Sequence, residues 1–310
     1  MKVGDVISGY ELFDEITGHG SERRFFRCRK EGIVSVMVHD QDIEQHLVLQ
    51  KHLARRKIAV PQVFWSSTVD KIMVQEDLGS FSLYELCKNG EIRMDIYKKA
   101  IDELIRLQFD GREGAPIECR YDTDHIRWEQ EYFRDHFLIE YCGLTPDETA
   151  ALEPDFGDLT LAVMEACEPL DGYLMHRDYQ SQNIYFKEGR IRLIDFQSAR
   201  IGPLTYDLAA LLRDAYVEIR PVLEETLRAY YYEKMKERGV GVDREAFVYC
   251  YKLIALQRSM QALGAFANLS LNKKKPHFAH FIPRGLELLE RGLNETPFTK
   301  LTKAVSSMRR

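Results

Sequence analysis

The chain has 310 residues, 45% of them hydrophobic and 30% charged, with 10 prolines and 19 glycines. This is an ordinary globular composition and more chain than one hydrophobic core usually supports, so wholesale disorder is excluded and two structural units, or one two-lobed unit, are expected. The formal net charge of −6 gives no overall attraction to phosphate backbones or anionic lipid, which argues against a nucleic-acid or membrane partner.

Residues 8 to 40 alternate short apolar stretches with turn residues: Tyr10 to Phe13, Gly18-His19-Gly20-Ser21, Phe25 to Cys28, Lys30-Glu31-Gly32, then Ile33 to Val38. The pattern predicts strand, turn, strand, turn, strand. From Asp42 the period lengthens, with Ile43, Leu47, Gln50 and Leu53 on one side of a helix ending near Arg56. Pro61 to Trp65 and Lys71 to Gln75 predict two more strands. A small first lobe of five strands and one main helix is therefore expected over residues 1–75, followed by a hinge at 76–80 and a larger helical lobe over 81–310. Helical patterns cover about 125–140, 147–166, 206–219, 221–237, 243–270 and 283–292, besides the amphipathic run Ile96, Ala100, Ile101, Leu104, Leu107. A strand pair is expected around Asn183 to Phe186 and Arg190 to Ile194, and a frayed tail over Leu301 to Arg310.

The six cysteines (Cys28, Cys87, Cys119, Cys142, Cys167, Cys250) include no C-x-x-C pair, so they are expected to be reduced packing residues. Asp5, Glu11, Asp14 and Glu15 interrupt any signal-peptide core, and no stretch approaches the roughly 18 apolar residues of a membrane span. A cytoplasmic location is the expectation.

The chemistry concentrates in His176-Arg177-Asp178-Tyr179-Gln180-Ser181-Gln182-Asn183, followed after a strand pair by Ile194-Asp195-Phe196. Phosphoryl transfer asks for a carboxylate at the nucleophilic hydroxyl and oxygen ligands that hold Mg²⁺ against the phosphates. Asp178 supplies the first; Asn183 and Asp195, on either side of the hairpin, can converge on one metal. This H-R-D-x-x-x-x-N and D-F pattern resembles the protein-kinase-like superfamily, which implies a two-lobed α+β fold using ATP and Mg²⁺. The run from Phe196 to Leu208 passes directly into a helix, leaving no activation segment and no A-P-E. It is similar to the aminoglycoside phosphotransferase and choline kinase superfamily, in which an Asp at the Asp207 position supports the catalytic loop together with His176. An N-cap to a helix starting at Leu208 is an alternative for Asp207.

Four stretches resemble the bacterial cell-wall amino-sugar kinases: Glu22 to Arg27, Glu76-Asp77-Leu78-Gly79, the catalytic block through Leu211-Leu212-Arg213-Asp214, and Gln257-Arg258 through Ala267. That resemblance implies a small-molecule sugar as substrate, phosphorylation of the anomeric hydroxyl of N-acetylmuramate or N-acetylglucosamine, and a place in cell-wall sugar recycling. Glu129, Arg213 and Arg258 become candidates to line the sugar cleft. Gly18, Gly20 and Ser21 sit where a phosphate-covering loop belongs, although G-x-G is also an ordinary hairpin turn. Glu76 and Leu78 belong to the hinge that would meet adenine through backbone groups. The third strand, Ile33 to His39, lacks the lysine with which protein kinases hold phosphates. Arg24 and Arg27 are the candidates to replace it; three apart, they point to opposite faces of an ideal strand, so one of them faces the nucleotide, Arg27 being preferred. The competing readings are an aminoglycoside, choline or related amine kinase, and a nucleotide-binding regulatory module without turnover.

Overall fold

Short apolar-bearing stretches separated by tight turns favour antiparallel pairing, and the first lobe is built that way. The computed structural model describes residues 1–16 and 23–308; Gly18, Gly20 and Ser21 lie outside the described residues. One six-stranded sheet contains β1 (Val6–Ile7), β2 (Tyr10–Ile16), β3 (Arg24–Lys30), β4 (Ile33–His39), β5 (Val63–Ser67) and β6 (Ile72–Glu76), in the order β1-β2-β3-β4-β6-β5. The strand beyond the expected five is β1, whose two residues pair with Tyr10 and Glu11; so short a segment leaves no alternation to read. Between β3 and β4, Glu31 and Gly32 take φ of 51° and 82°, the left-handed pair that matches the twist of a two-residue hairpin. The lobe's main helix, α1 (Ile43–Arg55), places Ile43 and Leu47 one turn apart against Val36, Val38 and Met73. The other sheet face buries Leu12, Phe26, Cys28, Met37, Ile72 and Val74.

The second lobe contains α2 (Leu83–Cys87), α3 (Met94–Phe109), α4 (Thr123–Tyr132), α5 (Pro146–Ala150), α6 (Glu153–Cys167), β7 (Tyr173–Met175), β8 (Ile184–Lys187), β9 (Arg190–Leu193), β10 (Arg200–Gly202), α7 (Thr205–Leu212), α8 (Pro221–Glu237), α9 (Arg244–Leu271), α10 (Ile282–Asn294) and α11 (Thr299–Ser307). Two strand pairs, β8 with β9 and β7 with β10, stand among the helices. The helix expected over 125–140 widens after Tyr132 into a π-helical segment, Phe133–Tyr141. The tail expected to fray is α11, which buries Leu301 and Val305, four residues apart, and takes two backbone hydrogen bonds to the Asp155 carboxylate. The 206–219 helix stops at Leu212, and 147–166 is split in two.

At the lobe's centre lies α9, packed against α4, the π segment, α6, α7 and α10. Its approach to the π segment requires Gly264: a Cβ there would lie 2.9 Å from Tyr132 Cδ1 and 3.0 Å from the Tyr132 carbonyl oxygen. The lobes join through residues 77–80, with Gly79 at φ 73°. Just before this connection the Glu76 carboxylate receives Lys187 Nζ at 3.0 Å and Arg192 Nε at 3.5 Å from the β8–β9 hairpin. Among the described residues no helix is long and apolar enough to cross a membrane.

Candidate active site

A cleft of about 520 Å³ opens between the lobes, within the range of small-molecule sites. Its upper wall is the α1 side of the sheet, where alternation brings Phe25 and Arg27 of β3, Val36 and Val38 of β4, and Met73 and Gln75 of β6 to one face. Its floor carries Asp178, Gln180, Gln182, Asn183, Asp195 and Gln197. A wider groove of about 1230 Å³, bounded by α1, β5, α3 and the β8–β9 hairpin, contains none of these floor residues.

The loop after β7 is held from below by buried acids. His176 N and Arg177 N donate to Asp207 Oδ2 and Oδ1 at 2.8 and 2.9 Å. Burial pushes this carboxyl up to about 7 against the pull of those donors. Asp207 lies inside the first turn of α7, so it is not the N-cap that a helix from Leu208 would need. Arg177 takes φ 76°, a left-handed conformation costly for a side chain with a Cβ and sustained here by the two bonds to Asp207. Burial holds the His176 imidazole below its ordinary value, which keeps the ring neutral. Asp214 adds a second clamp, accepting Ser181 N at 2.8 Å and Tyr216 N at 2.9 Å. Asp178 itself is a third exposed, with Arg258 Nη2 3.7 Å from its Oδ1.

Asn183 and Asp195 meet across the β8–β9 hairpin. The Asn183 amide nitrogen donates to the Asp178 carbonyl at 2.9 Å, so its Oδ1 is the atom left to accept or ligate. Asp195, at φ 69°, receives Gln197 Nε2 at 3.0 Å and the guanidinium of Arg23. Burial raises its carboxyl, but the charge and hydrogen bonds of Arg23 outweigh this and hold it below the usual carboxylate range. An ionised carboxylate beside an amide oxygen is a hard-oxygen donor set that suits Mg²⁺ completed by phosphate oxygens.

Several sequence expectations are corrected. Arg24 points away from the cleft: its guanidinium reaches Glu15 Oε1 at 2.8 Å on the exposed face. Arg27 does face the cleft, yet it is spanned between Asp14 Oδ2 at 2.9 Å and Asp77 Oδ2 at 3.1 Å. The cation that reaches Asp195 is Arg23, which shares its parity with Phe25 and Arg27; strand alternation carried one turn further would have found it. Glu129 is fully buried and does not line the cleft. It accepts Tyr206 OH at 2.7 Å, Tyr121 OH at 3.3 Å and Gln257 Nε2 at 3.2 Å, with Arg177 at 4.0 Å. Burial alone would raise this carboxyl; His125, Arg177 and Tyr206 bring it down and keep it charged. Arg213 turns away as well, bonding Glu224 at 3.1 Å and Glu295 at 3.4 Å; its neighbour Asp214 reaches the catalytic loop. Glu76 and Leu78 stand on the cleft wall, Glu76 with its backbone N–H already donated to Gln62 O at 2.8 Å. The α1 side chain on the cleft is His46.

Residues 18–240 match the phosphotransferase enzyme family (APH). The chain belongs to that family. N-acetylmuramate/N-acetylglucosamine kinase of Neisseria meningitidis serogroup B is 30% identical, covering 87% of this chain and 82% of the relative. Its counterpart of the same name in Pseudomonas aeruginosa is 28% identical, covering 89% and 82%. Among solved structures, a choline/ethanolamine kinase family protein from Mesorhizobium loti superposes with a TM-score of 0.64 at 17% identity, over 94% of this chain and 92% of the other. Amicoumacin kinase hAmiN in complex with AMP-PNP, Ca²⁺ and Ami gives 0.62 at 13% identity, over 93% and 91%. The two-lobed protein-kinase-like architecture is thus that of the APH and choline kinase superfamily, and this phosphotransferase is a small-molecule kinase.

Proposed function

We propose that the chain transfers the γ-phosphoryl group of ATP to the anomeric hydroxyl of an N-acetylated amino sugar, N-acetylmuramate or N-acetylglucosamine, releasing ADP and a sugar 1-phosphate. The observation that carries this reading is the convergence of Asp178, Asn183 and Asp195 on one cleft whose helical wall is cationic and amide-bearing. Along α9, Arg258, Gln261, Ala262, Ala265 and Leu269 recur at helical spacing on the cleft side. Arg258 is the member beside Asp178, and Gln261 carries a buried Oε1 without a partner among the described residues. Such a wall suits a neutral or acidic polar ring better than a cationic one. Choline and aminoglycosides call for carboxylates or an aromatic cage. The acidic lining residues are Glu76, Asp77, Asp178 and Asp195, of which the first two belong to the connection and Asp195 to the phosphate end; Tyr132, Tyr216, Phe266 and Phe278 also line the cleft, so it is the Arg258 charge beside Asp178 that disfavours a cationic guest. The names of the curated relatives point the same way.

In this reading Asp178 orients the acceptor hydroxyl and receives its proton as the oxygen attacks phosphorus and the bond to the departing ADP oxygen breaks. An anomeric hydroxyl is more acidic than other sugar hydroxyls, so positioning carries most of the burden. Asn183 and Asp195 would hold Mg²⁺, whose charge offsets that of the phosphates. Asp77 and Leu78 stand where backbone groups would meet adenine. N-acetylglucosamine and its methyl glycoside, offered separately with ATP and followed by ³¹P NMR, test the assignment: the free sugar is expected to give a 1-phosphate and the glycoside nothing. Comparable phosphorylation of the glycoside would move the reaction to another hydroxyl.

A further inference from the structure

The upper half of the site poses an electrostatic problem, because both β4 residues that line the cleft are valines, Val36 and Val38. No lysine enters from that strand, and the cleft side chain of α1 is His46, which pairs with Asp40 at 3.5 Å and stands edge-on to Phe196 at 5.0 Å. Phosphates nevertheless need a cation in the upper wall. The remaining cations near the cleft are engaged elsewhere. Arg27 spans Asp14 and Asp77; Lys187 and Arg192 hold Glu76; Arg258 stands at the acceptor side beside Asp178.

Arg23 is placed differently. Register pairs Arg24 with His39, which sets Arg23 at the mouth of the sheet beside Asp40. Its guanidinium lies 5.8 Å from the Phe25 ring centroid and reaches down to the Asp195 carboxylate with only 13% of the side chain exposed. Burial raises the Asp40 carboxyl, but hydrogen bonds from His46 and the Asp42 backbone, with the charge of Arg23, hold it below its ordinary value. Arg23 is thus paired with Asp195 on the floor of the site and near enough to Asp40, at the β4 end, for its charge to act on that carboxylate.

We propose that Arg23 is the phosphate-binding cation of this enzyme, replacing a β4 lysine, and that it competes with the divalent metal for Asp195. The inference rests on the kinase reading of the cleft. A carboxylate oxygen held by a guanidinium is unavailable to a metal, and a metal on Asp195 repels the guanidinium toward phosphate oxygens, with which its planar donors pair well. Arg23 therefore opposes a metal that arrives alone and assists one that arrives with nucleotide. Binding of metal and nucleotide is coupled through one side chain.

Two binding measurements on the full chain separate these effects: AMP-PNP with Mg²⁺ by calorimetry, and Mn²⁺ without nucleotide by electron paramagnetic resonance. Arg23→Gln is expected to weaken the nucleotide complex roughly 10–100-fold, the value of charged hydrogen bonds to phosphate, while Mn²⁺ alone binds several-fold more tightly. Arg23→Lys keeps the charge and should recover part of the nucleotide affinity. Arg24→Gln, on the opposite sheet face, is the control and should change neither. Unchanged nucleotide affinity in Arg23→Gln with wild-type thermal stability, or Mn²⁺ binding that weakens, overturns the proposal. Failure of the wild-type chain to bind AMP-PNP with Mg²⁺ would instead overturn the kinase reading beneath it.

Discussion

The two halves of the cleft are held by different means. Below, the loop after β7 is held through its backbone: two N–H groups on Asp207, one on Asp214, and the Asp178 carbonyl, which accepts the Asn183 side-chain amide. Above, the sheet offers an apolar ceiling of Val36, Val38 and Phe25, crossed by arginines whose guanidinium groups pair with carboxylates. Backbone clamps fix a carboxylate to within the tolerance that a reacting hydroxyl needs. Ion pairs can be exchanged, which on the proposed reading suits groups that would follow phosphates in and out. The floor is built for position and the ceiling for exchange.

The most severe break in that contrast is Asp178→Asn. It should lower kcat by about 10²–10⁴-fold and leave the Kd for AMP-PNP nearly unchanged, since in the proposed reading the carboxylate meets the acceptor and not the nucleotide; near-normal turnover would remove Asp178 from its proposed role. Gly264→Ala strikes the seam that supports the α9 wall. With a Cβ 2.9 Å from Tyr132 Cδ1, a loss of about 1–3 kcal/mol is expected, seen as a lower Tm and a KM for the sugar that rises more than that for ATP. An equal rise in both would mean that α9 does not belong to the acceptor side.

A smaller effect lies in pH. Asp207 ionises near 3.8 when unfolded and at about 7 in the fold, so its raised value makes the folded state the tighter proton binder. Its contribution to stability is unpenalised below the unfolded value, worsens as pH rises between the two, and is fully unfavourable above about 7. The Tm advantage of the wild type over Asp207→Asn should therefore shrink between pH 5 and pH 8. An advantage that grows over that range would show that the two N–H donors dominate over burial. Least of all, Arg24→Gln removes an exposed pair with Glu15 and should cost under about 1 kcal/mol, with the KM for ATP within about twofold of wild type by steady-state kinetics.

What was legible in the sequence follows the same division. The floor is written in one contiguous stretch, His176 to Asp195, because a backbone-clamped loop and a hairpin fix their members by spacing. Arg258 was reachable through the resemblance, and the helical repeat that joins it to Gln261 and Ala265 is visible once α9 is drawn as one helix. The ceiling was harder. Arg23, Arg24 and Arg27 are equivalent in composition, and only strand parity, counted from residues known to face the cleft, separates them. Glu129 and Arg213 misled because position and the resemblance offered them as cleft residues. Their partners, Tyr206, Gln257, Glu224 and Glu295, lie 11 to 128 residues away, and no local pattern announces a buried ion pair. The α11 helix was missed for a milder reason: two apolar residues in a basic tail were discounted, although Leu301 and Val305 stand four apart.

Glu76 is the last residue of β6, and both its ends are occupied, the amide by Gln62 and the carboxylate by the β8–β9 hairpin. The end of β6 is therefore tied to the second lobe by two ion pairs. The connection runs through residues 77–80, where Lys187 also braces the Asp77 carbonyl at 2.8 Å and Gly79 alone takes a left-handed φ. If the lobes part, the joint behaves like a clasp-knife riveted on one side: the end of the cleft beside the connection keeps its width better than the mouth.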